Sequence, residues 1–465
     1  MILGGRAGTA FPRVPTSIAT PGLSPVLAPR PKGIAAPAPL PIARLEILGT
    51  LALPQGTEDQ GPPSGLTLDE ALQRLIRDNL ELRSKWFEIP QGRADVLTAS
   101  LRANPILYAD SQLIPYGKYG RDRSGGPTQY DLNVSHPLDL SRKRQARTVV
   151  AERAVNVLEA QYQNAVRLQI GNLYTAYVDA LAARETARFA QASVDGLDRV
   201  LAVSEALYRK DNLYRPDVLR VKVQKEAAEM GVAEARQLVL HAKRALGVLL
   251  SMPAQEAEAL ELRGTIAIAA PPLATTDDLV GRALEARPDL MAQRLGTQRA
   301  EADVRLARAE RLSDFYLLYQ PYTFQNNEPS GLKSATSWAL GVTAPLPIFN
   351  RNQGGLLRAG LNVTQTQIES AAVERQILTE VIQAEHEYII SSALLKHLEE
   401  TVLPAARRMH DDGLRLFISG EHDAPAYFSV QRDFNQAVRR YRDALVRHRR
   451  SMLDLNTAVG QRIMP

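Results

Sequence analysis

Residues 337–355 read "SWALGVTAPLPIFNRNQGG". Trp338, Leu340 and Val342 alternate with Ser337, Ala339, Gly341 and Thr343, the period of two of a strand with one apolar face. Pro345 and Pro347 follow, then the polar cluster Asn350, Arg351 and Asn352, and from there the chain takes on helical character over a long segment. Proline donates no hydrogen bond and favours the end of a ladder. The polar residues after it are suited to cap a helix. A short strand is thus joined directly to a very long helix, and something has to cover the strand's apolar face.

The same join occurs twice. Displaced by 208 positions, Asp69-Glu70 falls on Asp277-Asp278, and "NLEL" at 79–82 falls on "RPDL" at 287–290. "TQYDLNVSHPLDL" at 128–140 then falls on "TSWALGVTAPLPI" at 336–348 without a gap, so that Pro137 meets Pro345. Near the end "LVLH" at 238–241 meets "LVRH" at 445–448, a displacement of 207. The register holds across several kinds of element, which marks a structural duplication.

Each repeat reads as helix, two strands, very long helix and returning helix. The strands are expected near 105–116 and 127–138, and near 313–323 and 336–347. Thr67 or Asp69 can cap the first helix. No proline occurs between Pro137 and Pro216, so a helix over about 142–210 would be on the order of 100 Å long at 1.5 Å per residue. Such a helix must lie against others of similar length. Gly196 falls on Pro404, a helix-weakening residue at the same depth in each repeat and a place to bend.

In the strand 129–135, Tyr130, Leu132 and Val134 share one face, and Gln129, Asp131, Asn133 and Ser135 the other. Four such strands leave no second sheet to cover the apolar faces. A barrel closed from several copies does so, with apolar residues toward lipid and polar residues toward a lumen. Residues 105–138 and 313–349 hold eleven aromatic side chains, Tyr108, Tyr116, Tyr119 and Phe349 among them, where an even spread would place about four. This is the enrichment expected of interfacial girdles. The intervening "GKYGRDRSGGP" (117–127) and "QNNEPSGLKSAT" (325–336) read as exposed turns.

Composition is that of a folded protein, 45% hydrophobic and 23% charged over 465 residues. The absence of cysteine excludes disulfides, thiolate metal sites and an acylated lipoprotein cysteine. No window approaches the ~18–20 apolar residues of a membrane helix, and the start "MILGGRAGTAFPRVP" lacks the basic and apolar regions of a signal peptide. Residues 1–65 hold twelve of the 29 prolines and read as a flexible Pro/Ala/Gly-rich extension. Residues 66–270 form the first repeat and 271–465 the second. The net charge of +5 is matched by residues 432–450 alone, with seven Arg against two Asp. That run reads as a solvated or interface face of the last helix, with nucleic-acid contact as the alternative.

The double repeat, "RPDL", the "LP" of "ETVLPAARR" and above all "PLPIFNRNQGG" resemble the TolC-like outer-membrane efflux proteins. The likeness is greatest to the branch paired with heavy-metal and related resistance–nodulation–division pumps, and covers about residues 66–460. The resemblance implies a mainly α fold with a small β part. Four strands per protomer would make a twelve-stranded membrane β-barrel in a homotrimer, continuous with a long-helix α-barrel crossing the periplasm. It implies a passive export channel of the bacterial outer membrane, completed by a periplasmic adaptor and an inner-membrane pump, with no catalytic, cofactor or metal role. Pro137, Pro345, Pro347, Asn350, Arg351 and Asn352 would then mark the strand-to-helix junctions at the inner membrane surface. Asp139, Ser141 and the run Arg142-Lys143-Arg144 would favour anionic lipid heads there.

The breaks between long helices are the other candidate sites. The resemblance makes Leu213, Tyr214, Arg215, Pro216 and Asp217 in one hairpin, and Gly420, Glu421, His422, Asp423 and Pro425 in the other, the tips that meet the adaptor. Asp411, Asp412 or Asp433 near these tips would be ion-gating charges. No HExxH, P-loop or Gly-x-Ser-x-Gly element occurs. His386, His410 and His422 have acidic neighbours but lie at unconstrained spacing, as surface residues do. The rival reading is a soluble coiled-coil scaffold whose basic last helix touches nucleic acid or protein. It leaves the four aromatic-rich strands unexplained.

Overall fold

The repeat seen in the sequence returns as a repeat of elements. The structure, a computed structural model, describes residues 61–112, 129–210, 213–269, 271–326, 333–419, 421–422 and 424–465, all within the unit Pro39–Pro465. The first repeat contains helices α1 (Leu68–Asp78), α2 (Leu80–Trp86) and α3 (Glu88–Ser100), strands β1 (Ile106–Gln112) and β2 (Gln129–Leu138), then α4 (Lys143–Arg209) and α5 (Arg215–Leu249). A short α6 (Ala254–Ala259) follows. The second repeat contains α7 (Thr276–Ala286), α8 (Pro288–Ala309), β3 (Phe315–Gln325), β4 (Ala335–Thr343), α9 (Gln353–His397), α10 (Leu403–Ile418) and α11 (Ala424–Val459), with a π-helical turn, Leu398–Val402, between α9 and α10.

Local chemistry explains the starts of the repeats. The Thr67 hydroxyl accepts from the Glu70 amide, and the Glu70 carboxylate accepts from the Thr67 amide, a complete capping box. The Thr275 hydroxyl accepts from the Asp278 amide in the same way, 208 positions later. Helix α4 runs 67 residues without a break, passing straight through Gly196, and is about 100 Å long. The matching stretch of the second repeat opens into the π-helical turn just before Pro404. Of the two bends expected, the second coincides with an irregular turn and the first does not.

The core follows the helix interfaces. Leu173, Tyr177 and Leu181 of α4 pack with Leu75, Leu82, Leu246 and Leu453. Leu279, Leu290, Val381, Met452 and Leu455 form the counterpart in the second repeat. Beyond these, smaller clusters run along the hairpins, and the outermost joins Val200, Val221, Phe417 and Tyr427 from α4, α5, α10 and α11. Alanine at 176, 180, 183 and 190 lets α4 approach its neighbours closely.

The four strands form one antiparallel sheet in the order β1-β2-β3-β4. β3 continues to Gln325, and β4 stops at Thr343 rather than near 347, so Pro345 and Pro347 lie beyond the ladder. Pro137 departs from the expected role of ladder stop: it lies within β2, opposite Tyr316. The β1 ladder has already ended at Ile106 and Ser135, so at Pro137 strand β2 has a neighbour on one side only. The expected strand ends 113–116 and 127–128, with Tyr116 and Tyr119, lie outside the described residues.

One irregularity sets the register. Tyr319 pairs with Val134 and Tyr322 with Leu132, so Gln320 and Pro321 oppose the single residue Asn133. On the other side Gln320 pairs with Ala339 and Thr323 with Ser337, leaving Pro321 and Tyr322 opposite Trp338. A proline inside a central strand requires such a bulge, because it has no amide hydrogen for the ladder.

Candidate functional site

The register gathers the apolar positions of the strands. Cross-strand partners share a face, so Leu107 and Val134, Ala109 and Leu132, Tyr130 and Phe324, and Tyr319 and Leu340 stand together. Leu107, Tyr130, Tyr319, Tyr322, Trp338, Leu340 and Val342 are all exposed, Trp338 at 71%. The opposite face is polar: the Asp131 carboxylate accepts from Gln129 at 2.6 Å and from Gln320 at 2.9 Å. Within one chain both sheet edges, β1 and β4, are open. An apolar face and two unpaired edges are together what further strands and lipid would cover.

The strand-to-helix junctions share a backbone device and differ in chemistry. Arg142, just before α4, and Asn352, just before α9, both adopt left-handed backbone, with φ of 59° and 54°. In the first junction Asp139 receives the amides of Lys143 and Arg144, each at 2.8 Å. Burial pushes the Asp139 carboxyl upward, but those amides and the Lys143 charge outweigh it and hold its pKa below the usual value. Arg144 donates to the Ser100 carbonyl and Arg147 to that of Ala99, satisfying the last carbonyls of α3. Lys143 pairs with Asp314 at 2.7 Å.

The second junction does the same work with amides. Asn350 accepts from the Asn352 amide at 3.0 Å, Gln353 from the Arg351 amide at 2.9 Å, and Asn352 donates to the Ala307 carbonyl at the end of α8. Arg351 turns back to the Pro347 carbonyl, and Phe349 is 90% exposed.

At the tip of the first hairpin, Tyr214 stands 80% exposed ahead of α5, and Pro216 occupies its first turn. Arg215 and Pro216 are exposed, Asp217 is half-buried, and Leu213 packs inward on the Val200–Tyr427 cluster. In the second hairpin the amides of Glu421 and His422 both reach the Leu416 carbonyl, at 3.0 and 3.1 Å, and Pro425 lies in the first turn of α11. Gly420 and Asp423 lie outside the described residues. Asp412 pairs with Arg415, and Asp411 accepts from or pairs with His410.

Side chains that the sequence left on the surface are buried here. His410 is 5% exposed, and its Nε2 contacts Gln431 at 2.9 Å, in a chain that includes Tyr427 and Asn435. The basic run of α11 is part solvated face and part interface: Arg432, Arg440 and Arg447 are exposed, while Arg442 and Arg449 are buried. Arg442 is 1% exposed, bonded to Asp443 and Thr186 and stacked over Phe189. Arg450 pairs with the buried Asp179, and Arg447 with Glu387. Arg442, Arg447 and Arg450 tie α11 to α4 and α9. Among the described residues no three His, Asp or Glu side chains gather as a metal site.

A second node was hidden in "RPDL". Arg287 is 2% exposed and pairs with Asp289 and Glu380 from α8 and α9, while Arg167 of α4 reaches Asp289 at 3.4 Å. Burial alone would raise the Asp289 pKa; the Arg287 hydrogen bonds and both guanidinium charges overcome it and hold the group low. No spacing rule in the sequence signals either node as buried, because Glu380 and Arg167 in one, and Thr186 in the other, come from other helices.

An open four-stranded sheet with an exposed apolar face, grown directly onto helices of this length, defines a barrel-forming membrane channel subunit. Among the described residues no helix is long and apolar enough to cross a membrane. The chain belongs to the outer membrane efflux protein family, whose model matches residues 71–251 and 279–461. It is 25% identical over 397 residues to the cobalt-zinc-cadmium resistance protein CzcC of Cupriavidus metallidurans, covering 84% of this chain and 89% of that one. It is 24% identical over 315 residues to the pyoverdine export outer membrane protein OpmQ of Pseudomonas aeruginosa, covering 63% and 62%. The fold matches the channel CusC with a TM-score of 0.67 at 15% identity, over 92% of this chain and 99% of that one. It matches the outer-membrane channel OprN with 0.69 at 17%, over 90% and 99%. The protein is therefore an efflux channel of the outer membrane and not an enzyme.

Proposed function

We propose that three copies of this chain close into one duct and that the duct is passive. Four strands from each copy make a twelve-stranded barrel. Its outer face carries Tyr130, Leu132, Val134, Trp338, Leu340 and Val342 to lipid, and its polar face lines water. The long hairpins enclose the continuation of the path. An inner-membrane pump supplies the energy, and a periplasmic adaptor meets the tips around Tyr214–Asp217 and Gly420–Pro425. The observation that carries this reading is the sheet itself, exposed on its apolar face and open at both edges.

Cargo choice lies with the pump. The relatives' names span cobalt, zinc and cadmium resistance and pyoverdine export, which is what a duct without a binding pocket of its own would permit. Release requires the tips to part, and the π-helical turn before Pro404 gives the second hairpin a place to bend.

The test is to export the full chain behind a known signal peptide. Recovery from outer membranes only with detergent, at trimer mass, is the expected result. A water-soluble monomer, made where a control barrel assembles, would overturn the reading. Substituting Tyr214 and Arg215 by Ala is expected to weaken adaptor binding in a pull-down while leaving the trimer intact.

A further inference from the structure

A cavity of about 280 Å³ opens at the first strand-to-helix junction, between the end of α3, the end of β2 and the start of α4. Its lining carries Arg102, Arg142, Lys143, Arg144 and Arg147 against only two carboxylates, Asp139 and Asp314. Both carboxylates are engaged: Asp139 by two backbone amides, Asp314 by Lys143. Arg144 and Arg147 donate to carbonyls, which satisfies hydrogen bonds without neutralising charge. Arg102 and Arg142 make no ion pair or side-chain hydrogen bond among the described residues. Like charges gathered this closely repel unless an anion lies between them.

The second repeat provides an internal control. Aligned on the two left-handed residues, Asn352, Gln353, Gly354 and Leu357 stand where the first junction has Arg142, Lys143, Arg144 and Arg147. Glu310 stands 208 positions after Arg102, and its carboxylate accepts from the Asn352 side-chain Nδ2 at 3.4 Å. The second junction folds with a single arginine in its turn, Arg351, bonded back to the Pro347 carbonyl, so the turn itself does not require Arg102 or Arg142. Exposed apolar residues border the cavity, Leu101 at 57% and Leu140 at 65%, with Leu107 at 66% on the neighbouring strand. A polar cationic recess beside an exposed apolar surface is complementary to a phosphodiester carrying acyl chains.

We propose that this cavity binds the headgroup phosphate of an anionic phospholipid in the inner leaflet, with Arg102 and Arg142 as its principal ligands. The proposal rests on the membrane placement given above, and its test separates the two. The full chain, purified as a detergent-solubilised assembly, is titrated with phosphatidylglycerol, with phosphatidylcholine and with inorganic phosphate. Lipid retained per chain is read by native mass spectrometry. Wild type is expected to retain phosphatidylglycerol at least about tenfold better than the double variant Arg102→Gln, Arg142→Asn. Asn is chosen because it tolerates the left-handed backbone. Lysine at both positions restores retention, and Arg351→Gln in the second junction leaves it unchanged. Equal phosphatidylglycerol retention by wild type and double variant, or equal retention of phosphatidylcholine by wild type, overturns the proposal. Displacement of the lipid by equimolar inorganic phosphate overturns it in favour of a free-anion site. If the double variant does not assemble, Arg102→Gln alone, at an exposed position after α3, gives the same reading. Trimer mass and detergent requirement, measured on the same samples, report on the barrel independently.

Discussion

Helix α4 passes Gly196 without losing a turn, whereas the second repeat opens into the Leu398–Val402 π-helical turn before Pro404. The interiors of the two hairpins differ in the same sense. Between α4 and α5 lie Ala190, Val194, Leu197, Ala228, Val232 and Ala235, all apolar. Between α10 and α11 lie Ala406, Phe417 and Phe434, but with them His410, Gln431 and Asn435, hydrogen-bonded and buried, and Gly413 pressed against Val430. The two hairpins share a frame and differ in build, one continuous and the other preceded by the π-helical turn. A π-helical turn exchanges i→i+4 ladder bonds for a wider repeat.

The largest effect is expected where the two hairpins are tied. Arg442→Ala removes a buried guanidinium and its packing on Phe189 and leaves Thr186 without its partner; a loss of about 2–3 kcal/mol is expected, read as a lowered melting temperature of the purified assembly. Retained stability would mean that the hairpins are held together elsewhere. Next comes Gly413→Val, whose Cβ would lie 2.9 Å from Val430 Cγ1. Overpacking there is expected to destabilise by about 1–3 kcal/mol. Glu205→Val, 208 positions earlier on an exposed face of α4, is expected to change little. Equal effects at both sites would erase the distinction between the hairpins.

The Arg287–Asp289 node gives a smaller, pH-dependent signal. The folded pKa of Asp289 is lowered, so its contribution is fully present above the unfolded value of about 3.9 and fades as pH falls through the lower folded value. Wild type is expected to lose more stability than Asp289→Asn between about pH 5 and pH 2, measured by thermal denaturation. Parallel curves would remove Asp289 from the account. Smallest of all are the matched caps. Thr67→Ala and Thr275→Ala are each expected to cost about 1 kcal/mol, and by similar amounts, since both hydroxyls accept the amide three residues on at 3.3 Å.

The strands were legible because alternation is a local property. Tyr130, Leu132 and Val134 share a face wherever the strand goes, and the observed pairing places Phe324, Tyr322 and Tyr319 beside them. The duplication was legible for the same reason, since residues at matched spacing need no partner to be compared. The bulge was not legible: Pro321 sits in an apolar, aromatic stretch, and only the count of residues facing Asn133 and Trp338 reveals it. Arg442 reads as part of a solvated or interface face, Arg287 only as part of "RPDL", and His410 as a surface residue, because charge alone predicts exposure. Their burial depends on Thr186, Glu380 and Gln431, which other helices supply. The cation cavity was half visible, as the run Arg142-Lys143-Arg144; Arg102 joins it only through the end of α3.

The sheet order carries a consequence for the order of assembly. Strand β2 is hydrogen-bonded to β3, with Leu138 opposite Phe315, 177 positions further along the chain. That pairing closes a loop containing the whole of α4, α5, α7 and α8, an entropic cost no local contact offsets. A chain synthesised only through the first repeat has a two-stranded hairpin, which is marginal in water, with an apolar face and no neighbour. Packing of α8 on α4 would shorten that loop, so the helices are expected to meet before the sheet does. Until α8 returns beside α4, Tyr130, Leu132 and Val134 are an exposed aggregation surface that the cell has to shield.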